Sequence, residues 1–191
     1  MRNLLQKMRM KIADLGKKSI DPPSYEFKRN QIKQYKDKYN LHVLIETGTF
    51  FGDTVEFFKA SFKKVYSIEL AMDLAKKAIQ RFENDKNVTI IQGDSADVLR
   101  DLIHDIDEPV LFWLDGHYSS EFFVGEHFVK TARGKKDTPV EEELKAVLET
   151  DMNHVILIDY ARLFRGINDY PSIYQIRKLV KKYKKQYDIS V

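Results

Sequence analysis

The sequence predicts an α/β fold in which a doubly wound, mostly parallel sheet carries helices on both faces. From residue 42 onward, short runs rich in β-branched and aromatic residues alternate with longer helical patterns. The strand runs are almost continuously apolar, as expected of parallel strands that are buried on both faces. Right-handed crossovers through the helices then give a doubly wound sheet. The predicted strands are residues 42–46, 64–69, 88–92, 110–114 and 154–159.

The segments between these strands predict the covering helices. Helical patterns run over residues 54–62, 71–84, 95–105, 139–150 and 172–185, and residues 187–191 predict a last strand. Residues 122–138 have no assignment and follow the carboxyl end of a strand. In this architecture such segments form the rim of the ligand site.

Residues 1–40 are predicted to form a helical extension, which divides the chain into this extension and a domain over residues 41–191. Apolar residues recur at helical spacing in residues 2–18, and Pro22 and Pro23 end that pattern. Ser24 then predicts the cap of a second helix.

Composition narrows the class of protein. The 191 residues are 43% hydrophobic and include no cysteine, which gives room for one domain and excludes disulfides, thiolate metal sites and a cysteine nucleophile. No apolar run approaches the roughly 20 residues of a membrane helix. The first 18 residues carry charges throughout, unlike a signal peptide. We therefore expect a cytoplasmic protein.

Charge is distributed unevenly along the chain. Residues 1–40 have a net charge of +7 and residues 177–191 of +5, so the middle carries −9 within a total of +3. Basic ends attract phosphate-rich partners or an anionic membrane surface. The alternative is that they form ordinary solvated helix faces.

A turn with two glycines, ETGTFFGDT at residues 46–54, follows the first strand of the domain. The glycines permit a tight turn and a close backbone approach, and the amides at the following helix start attract an anionic group. Phe50 and Phe51 separate the glycines, so the GxGxxG motif of dinucleotide enzymes is absent. An ordinary strand-to-helix turn is the alternative interpretation.

Acidic residues follow the next two strands. Glu69 lies about 20 residues after the glycine turn, where nucleotide-binding sheets place a carboxylate on ribose hydroxyls. Asp94 and Ser95 follow the third strand. They are predicted either to cap the next helix or to contact the base of a nucleotide. For Glu69, the alternative is a charge that favours a helix N-terminus.

The fourth and fifth strands deliver Asp115, His117 and Asp159 to the same edge of the sheet. Two carboxylates and an imidazole suit removal of a hydroxyl proton or coordination of a hard divalent cation. His117 is the predicted general base because imidazole titrates near neutral pH. Its alternative role is that of a turn residue bonded to the backbone.

Together the motifs ETGTFFGDT, YSIEL and IIQGDSADVL resemble those of the class I S-adenosylmethionine-dependent methyltransferases. They are most similar to the small O-methyltransferases of the catechol and macrocin kinds, over about residues 40–162. The resemblance implies a Rossmann-like domain and an S-adenosylmethionine site in which Glu69 holds the ribose and Asp94 with Ser95 contacts the adenine. The residues implied to bind this cofactor are Glu46, Thr47, Gly48, Thr49, Phe50, Gly52, Thr54, Glu69, Asp94, Ser95 and Asp115.

The resemblance also raises the question of a metal. In those O-methyltransferases the aspartates at these strand ends hold Mg²⁺, for which Asp115 and Asp159 are the candidates here. The family usually has Asp or Asn after the second of them, whereas this chain has Tyr160. The expectation of Mg²⁺ is therefore left open.

Aromatic and basic residues are concentrated in the segment after His117. They predict a clamp for a polar or anionic acceptor, on a lid that Gly125 and Gly134 make mobile; a surface loop is the alternative. Arg162 and Arg165 follow the fifth strand and are predicted to pair with Asp159 or with an acceptor anion; surface salt bridges are the alternative. The segment contains Glu121 and, as the clamp residues, Phe122, Phe123, His127, Phe128, Lys130, Arg133, Lys135 and Lys136.

The function predicted from these observations is methyl transfer from S-adenosylmethionine to an oxygen of a small polar acceptor, such as a sugar hydroxyl. Two alternatives remain: an RNA methyltransferase, favoured by the basic ends, and a non-catalytic protein that binds the cofactor or a partner, favoured by Tyr160. The final antiparallel strands of the family have no counterpart in the sequence, so a homodimer that covers the sheet edge is a further possibility.

Overall fold

Parallel strands form one central sheet in the computed structural model, which describes residues 8–12, 22–118, 121–124, 127–183 and 187–190. Within these residues the sheet has seven strands: β1 (Met8–Ile12), β2 (Val43–Thr47), β3 (Lys64–Glu69), β4 (Val88–Gln92), β5 (Val110–Leu114), β8 (Val155–Ile158) and β9 (Tyr187–Ser190). Their order across the sheet is β4-β3-β2-β5-β8-β1-β9. The antiparallel pair β6 (Glu121–Val124) and β7 (His127–Lys130) stands apart from this sheet.

Helices cover both faces of the sheet, as predicted. They are α1 (Tyr25–Tyr39), α2 (Asp53–Phe58), α3 (Met72–Arg81), α4 (Ser95–His104), α5 (Val140–Leu148) and α6 (Ile173–Lys182). Neighbouring residues of one strand enter different cores: Phe112 packs with the residues of α4, α5 and α6, whereas Trp113 packs with those of α1, α2 and α3. This alternation is the period-2 geometry of a strand that is buried on both sides.

The five predicted strands of the domain and the helices between them are confirmed, with shorter helix ends. The helix predicted over residues 54–62 ends at Phe58, and the one predicted over 71–84 ends at Arg81. Phe62 and Phe82 are nevertheless buried, because they pack into the core from the turns after these helices. Their apolar character therefore extended the helical pattern too far.

The helix predicted over residues 2–18 is wrong where the structure describes that segment, because Met8–Ile12 forms β1. Its sequence, MRMKI, alternates apolar and basic residues and so also fits a strand. Pairing decides between the two periods: β1 lies between β8 and β9 and is parallel to both. The second predicted helix is confirmed as α1, with the Ser24 hydroxyl accepting from the Phe27 amide at 3.2 Å.

The sheet continues beyond β8 with β1 and β9, which are parallel rather than antiparallel. β8 is therefore paired on both sides. The strands β2, β3, β4, β5 and β8 all end at one edge of the sheet, where the predicted site residues lie. Across the part of the chain that the structure describes, no helix has the length and apolar character needed to cross a membrane.

Candidate functional site

A cavity of about 760 Å³ opens at the carboxyl edge of the sheet. This volume is in the range of small-molecule sites. Of the thirteen predicted site residues, all except Thr47 and Gly52 line its wall. The lining residues among them are Glu46, Gly48, Thr49, Phe50, Thr54, Glu69, Asp94, Ser95, Asp115, His117 and Asp159.

The glycine turn brings β2, β3 and β5 together at the cavity floor. The Gly48 amide donates to the Ile68 carbonyl at 2.9 Å, and Gly48 has φ +86°. A Cβ atom at this residue would lie 2.8 Å from the carbonyl oxygen of Asp115. The close approach of these two backbone segments therefore requires glycine. Gly52 also has positive φ, at the start of α2, and faces Phe82 instead of the cavity.

Thr47 lies beneath the cavity and holds its floor. Its buried hydroxyl oxygen accepts from the amides of Asp115 and Gly116, at 3.3 and 3.2 Å. The Thr47 hydroxyl also bonds to Glu143. Thr47 thus fixes the start of the segment that carries Asp115, and does not itself line the cavity.

Glu143 is a buried acid that the sequence analysis missed. The Ser95 hydroxyl donates to its Oε1 at 2.7 Å, and burial raises the pKa of Glu143 to about 7. A sequence signal was present, because Glu143 shares a helical stripe with Val140, Leu144 and Val147. A carboxyl group within an apolar stripe indicates a buried partner rather than solvent.

Glu46 is almost fully buried at the end of β2 and lines the cavity. Burial raises the pKa of Glu46 to about 8, against the hydrogen bonds from Ser67 and Thr54 that lower it. The Ser67 hydroxyl donates to Glu46 Oε2 at 2.6 Å and lies 2.7 Å from the Thr49 hydroxyl. At neutral pH this carboxyl group is therefore mostly protonated, and a cation in the cavity would favour its charged form.

Glu69 fixes the shape of the cavity on the β3 side. Its Oε2 accepts from the Phe50 amide and its Oε1 from the Ala71 amide, both at 2.8 Å. The Leu70 amide is a third backbone donor to this carboxylate, which has about four acceptor sites in all. Glu69 thus braces the glycine turn and remains able to accept from a ligand hydroxyl.

Asp94 and Ser95 both use their side chains within the protein. The Asp94 carboxylate accepts from the Ala96 amide at 3.0 Å and so caps α4. This is the first of the two roles predicted for Asp94. Ser95 donates to Glu143. Both residues nevertheless line the cavity.

Asp115 and His117 come together after β5. His117 Nδ1 lies 3.2 Å from the carbonyl oxygen of Asp115 and 3.5 Å from its carboxylate Oδ1. Since a carbonyl oxygen only accepts, Nδ1 carries the proton of this hydrogen bond, and Nε2 is the nitrogen that can take up a proton. The imidazole packs on the Tyr160 ring, with 4.3 Å between ring centroids.

Asp159 is paired with a lysine that sequence analysis did not single out. Lys28 Nζ, from the first turn of α1, lies 2.6 Å from Asp159 Oδ2. Burial raises the pKa of Asp159 to about 6, the nearby Asp115 charge adds to the effect, and Lys28 opposes it. No local pattern marks Lys28 in its charged helix, because the two residues are 131 positions apart.

Tyr160 is turned into the core and does not line the cavity. Its hydroxyl donates to the Gly116 carbonyl at 3.2 Å and lies 2.8 Å from the Thr138 hydroxyl. The position where the resembled enzymes have Asp or Asn therefore contributes nothing to a metal site. Among the residues that the structure describes, no group of three His, Cys, Asp or Glu side chains could hold a metal ion.

We expect Tyr160→Phe to lower the free energy of unfolding by about 1–3 kcal/mol, because the Gly116 carbonyl and Thr138 hydroxyl lose a buried partner. Urea denaturation measures this change. Tyr174→Phe is the matched control, since Tyr174 is 74% exposed, and its unfolding free energy should equal that of the wild type. Equal stability of Tyr160→Phe and the control would contradict the assigned hydrogen bonds.

Residues 131, 132 and 134–137 line the cavity, with Gly134 close to Asp94. A Cβ atom at Gly134 would lie 3.5 Å from both Asp94 and Leu70, an ordinary contact distance. The described basic residues of the predicted clamp make ion pairs with this protein's own acids: Arg133 with Asp137, Lys135 with Asp97 and Lys136 with Glu142. The side chains of residues 121–130, including the other clamp residues, and Gly125 lie outside the described part of the chain.

No protein-family model and no curated protein sequence matches the chain. Among solved structures, a methyltransferase of Podospora anserina bound to SAH is similar, with a TM-score of 0.52, 12% identity, and coverage of 85% of this chain and 66% of that chain. An O-methyltransferase from Bacillus cereus in complex with SAH has a TM-score of 0.42 and 16% identity, over 50% of this chain and 46% of that chain. The 23S rRNA methyltransferase ErmE has a TM-score of 0.47 and 14% identity, over 76% of this chain and 50% of that chain.

The chain thus spans about half the length of the last two structures. The similarity to the Podospora anserina structure extends over most of this chain and concerns the fold. The chain has the fold of the class I S-adenosylmethionine-dependent methyltransferases, a mostly parallel sheet with helices on both faces.

Proposed function

We propose that the chain is an S-adenosylmethionine-dependent methyltransferase that acts on an oxygen of a small polar acceptor, such as a sugar hydroxyl. The observation that carries this proposal is one continuous cavity at the carboxyl edge of the sheet. The glycine turn and Glu69 line it together with Asp115, His117 and Asp159. Ligands of open α/β sheets bind at this edge.

The residues at the β2 and β3 ends fit such a cofactor. Glu46 is a buried acid that a ligand ammonium group would shift to its charged form, and Glu69 can accept from ribose hydroxyls. Asp94 lines the adjoining wall, at the predicted adenine position. The bound cofactor would supply a methyl group on a sulfonium, which is a good leaving group.

The other residues of the cavity would handle the acceptor. His117 is the proposed general base, because the Nδ1 contact to Asp115 makes Nε2 its proton acceptor. It would take the hydroxyl proton while the acceptor oxygen bonds to the methyl carbon and the carbon–sulfur bond breaks, with its electrons going to sulfur. Holding the oxygen in line with that bond is the main task of the protein.

Calorimetric titration of the wild type with S-adenosylmethionine and SAH tests the proposal. We expect both to bind, and NAD⁺ to give no signal because the chain lacks the GxGxxG turn. Absence of binding by both methionine-derived ligands would overturn the proposal.

RNA as the acceptor is the second candidate. The observation that favours it is the exposed basic surface of α6, formed by Arg177, Lys178, Lys181 and Lys182. Phosphate contacts by such residues make nucleic-acid binding strongly salt-dependent. A gel shift with mixed RNA at low and high salt distinguishes the candidates, because a small-molecule enzyme should show no shift.

A non-catalytic role is a weaker alternative. It was favoured by Tyr160, and that side chain packs in the core beneath the cavity instead of replacing a cavity residue. If Asp115→Ala and His117→Ala bind SAH normally but lose methyl transfer, the non-catalytic interpretation fails. The homodimer remains a prediction, which light scattering of the purified chain would test.

A further inference from the structure

We infer that Lys28 is the resident cation of the acceptor end of the cavity and stands where Mg²⁺ lies in the resembled O-methyltransferases. The wild-type chain would then have no divalent-cation site between Asp115 and Asp159. The catalytic meaning of this inference rests on the proposed function, whereas the claim about cation binding does not.

The first argument is the ion pair itself. Lys28 Nζ lies 2.6 Å from Asp159 Oδ2, and the two side chains are only 17% and 4% exposed. This is a short, charge-assisted hydrogen bond in a place where solvent screens little. Lys28 and Asp115 also line both the main cavity and a small one of about 30 Å³. The ammonium group is therefore bonded to one of the two carboxylates proposed as metal ligands and shares a cavity wall with the other, which lies close enough to Asp159 to raise its pKa.

The second argument is that too few oxygen donors stay available to a divalent cation while Lys28 is bonded to Asp159. Mg²⁺ requires near-octahedral oxygen coordination, usually from one or two carboxylates together with water and substrate. Here Lys28 already occupies an oxygen of Asp159, and the next residue along the chain, Tyr160, donates its hydroxyl proton to Gly116 in the core. A cation placed between the aspartates would also meet the positive charge of Lys28.

The third argument is that α1 holds this lysine in place. Lys28 lies in the first turn of the helix, and Ile32, one turn further on, is buried in the core beside β5. The Ser24 cap fixes the helix start, and the Tyr25 ring at the cavity wall lies 5.6 Å from the Lys28 ammonium. The ammonium group is thus carried on an anchored helix instead of a free chain end.

At this position the Lys28 ammonium group can stabilise negative charge on the acceptor oxygen, as a metal ion would. An ammonium group has three N–H donors, and Asp159 uses one of them. Another can donate to the acceptor oxygen and stabilise the negative charge that develops as the hydroxyl proton moves to His117. Methyl transfer would then be independent of divalent cations.

Mn²⁺ binding, followed by the electron paramagnetic resonance signal of the free ion, tests the inference without a known acceptor. The wild type should show no Mn²⁺ site up to about 1 mM, the weak end of protein affinities for hard cations. Lys28→Met should gain a site, because Asp115 and Asp159 lose their resident cation. Adding Asp159→Asn to that variant should remove the site again.

Lys33→Met is the matched control, because Lys33 is an exposed lysine of the same helix, and it should behave as the wild type does. A Mn²⁺ site in the wild type that Asp159→Asn abolishes would overturn the inference, and so would a folded Lys28→Met that gains no site. Cooperative melting reports folding, and if Lys28→Met does not fold, the wild-type titration alone decides. Failure of SAH to bind the wild type would reject the proposed function and leave the Mn²⁺ result interpretable.

Discussion

Replacing Gly48 with alanine is expected to lower SAH affinity more than about 100-fold and to destabilise the fold by about 2–4 kcal/mol. The new Cβ atom would lie 2.8 Å from the Asp115 carbonyl oxygen, at a residue with φ +86°. Neither backbone segment can easily move away. The Asp115 amide donates to the Thr47 carbonyl at 3.1 Å, and the Gly48 amide donates to Ile68.

Calorimetry with SAH and urea denaturation measure the two effects of Gly48→Ala. Gly134→Ala is the matched control, since Gly134 also lines the cavity and its Cβ would meet nothing closer than 3.5 Å. Affinity and stability of that control should stay close to those of the wild type. A Gly48→Ala variant that binds SAH as tightly as the control would show that the turn does not form the cofactor site.

Glu46→Gln is expected to weaken SAH binding by about 10–100-fold, the equivalent of a lost hydrogen bond to a charged group. With the pKa of Glu46 at about 8 in the ligand-free chain, most molecules carry the proton at pH 7. The ammonium group of SAH favours the carboxylate, so binding should release about one proton, and affinity should rise as the pH increases towards about 8.

Titration in two buffers with different protonation enthalpies measures this proton release. Glu46→Gln should release none. Glu143→Gln is the control, because Glu143 is another buried acid with a raised pKa but does not line the cavity. The Glu143→Gln control should still release a proton when SAH binds. If Glu46→Gln releases as many protons as the wild type, the group that loses the proton is not Glu46.

The raised pKa of Glu46 also predicts how stability depends on pH. A carboxyl group whose pKa is higher in the folded chain stabilises the fold fully below its unfolded pKa of about 4.5, and this contribution is lost as the pH rises through about 8. The melting temperature of the ligand-free wild type should therefore fall as the pH is raised through this window. Glu46→Gln should show a smaller fall, and identical profiles would contradict the burial of this acid.

Local signals in the sequence identified most of the domain. Strand runs, helix periods and caps each depend on residues within one or two turns, so the order of β2, β3, β4, β5 and β8 and the cap of α1 by Ser24 could be predicted, whereas the pair β6 and β7 was not. The acids at the ends of β2 and β3 could be placed on one edge because parallel strands end together. Helix ends were predicted too late, because buried Phe62 and Phe82 continue the apolar pattern beyond the last helical residue.

Contacts between distant segments could not be predicted in this way. The pairing of Lys28 with Asp159 joins residues 131 positions apart, and that of Ser95 with Glu143 joins residues 48 apart. For Met8–Ile12, both helix and strand periods fitted the sequence, and pairing with β8 and β9 decided the outcome.

By itself, the sequence determined a parallel sheet with helices on both faces and the set of side chains at its carboxyl edge, because chain order and periodicity are local properties. Only the tertiary structure decided which of those side chains have partners and of what charge. In the folded chain the Tyr160 side chain packs in the core, Lys28 pairs with Asp159, and Thr47 and Glu143 are bonded to each other beneath the cavity. The direction of a side chain and the cost of burying its charge depend on neighbours that the fold supplies from elsewhere in the chain.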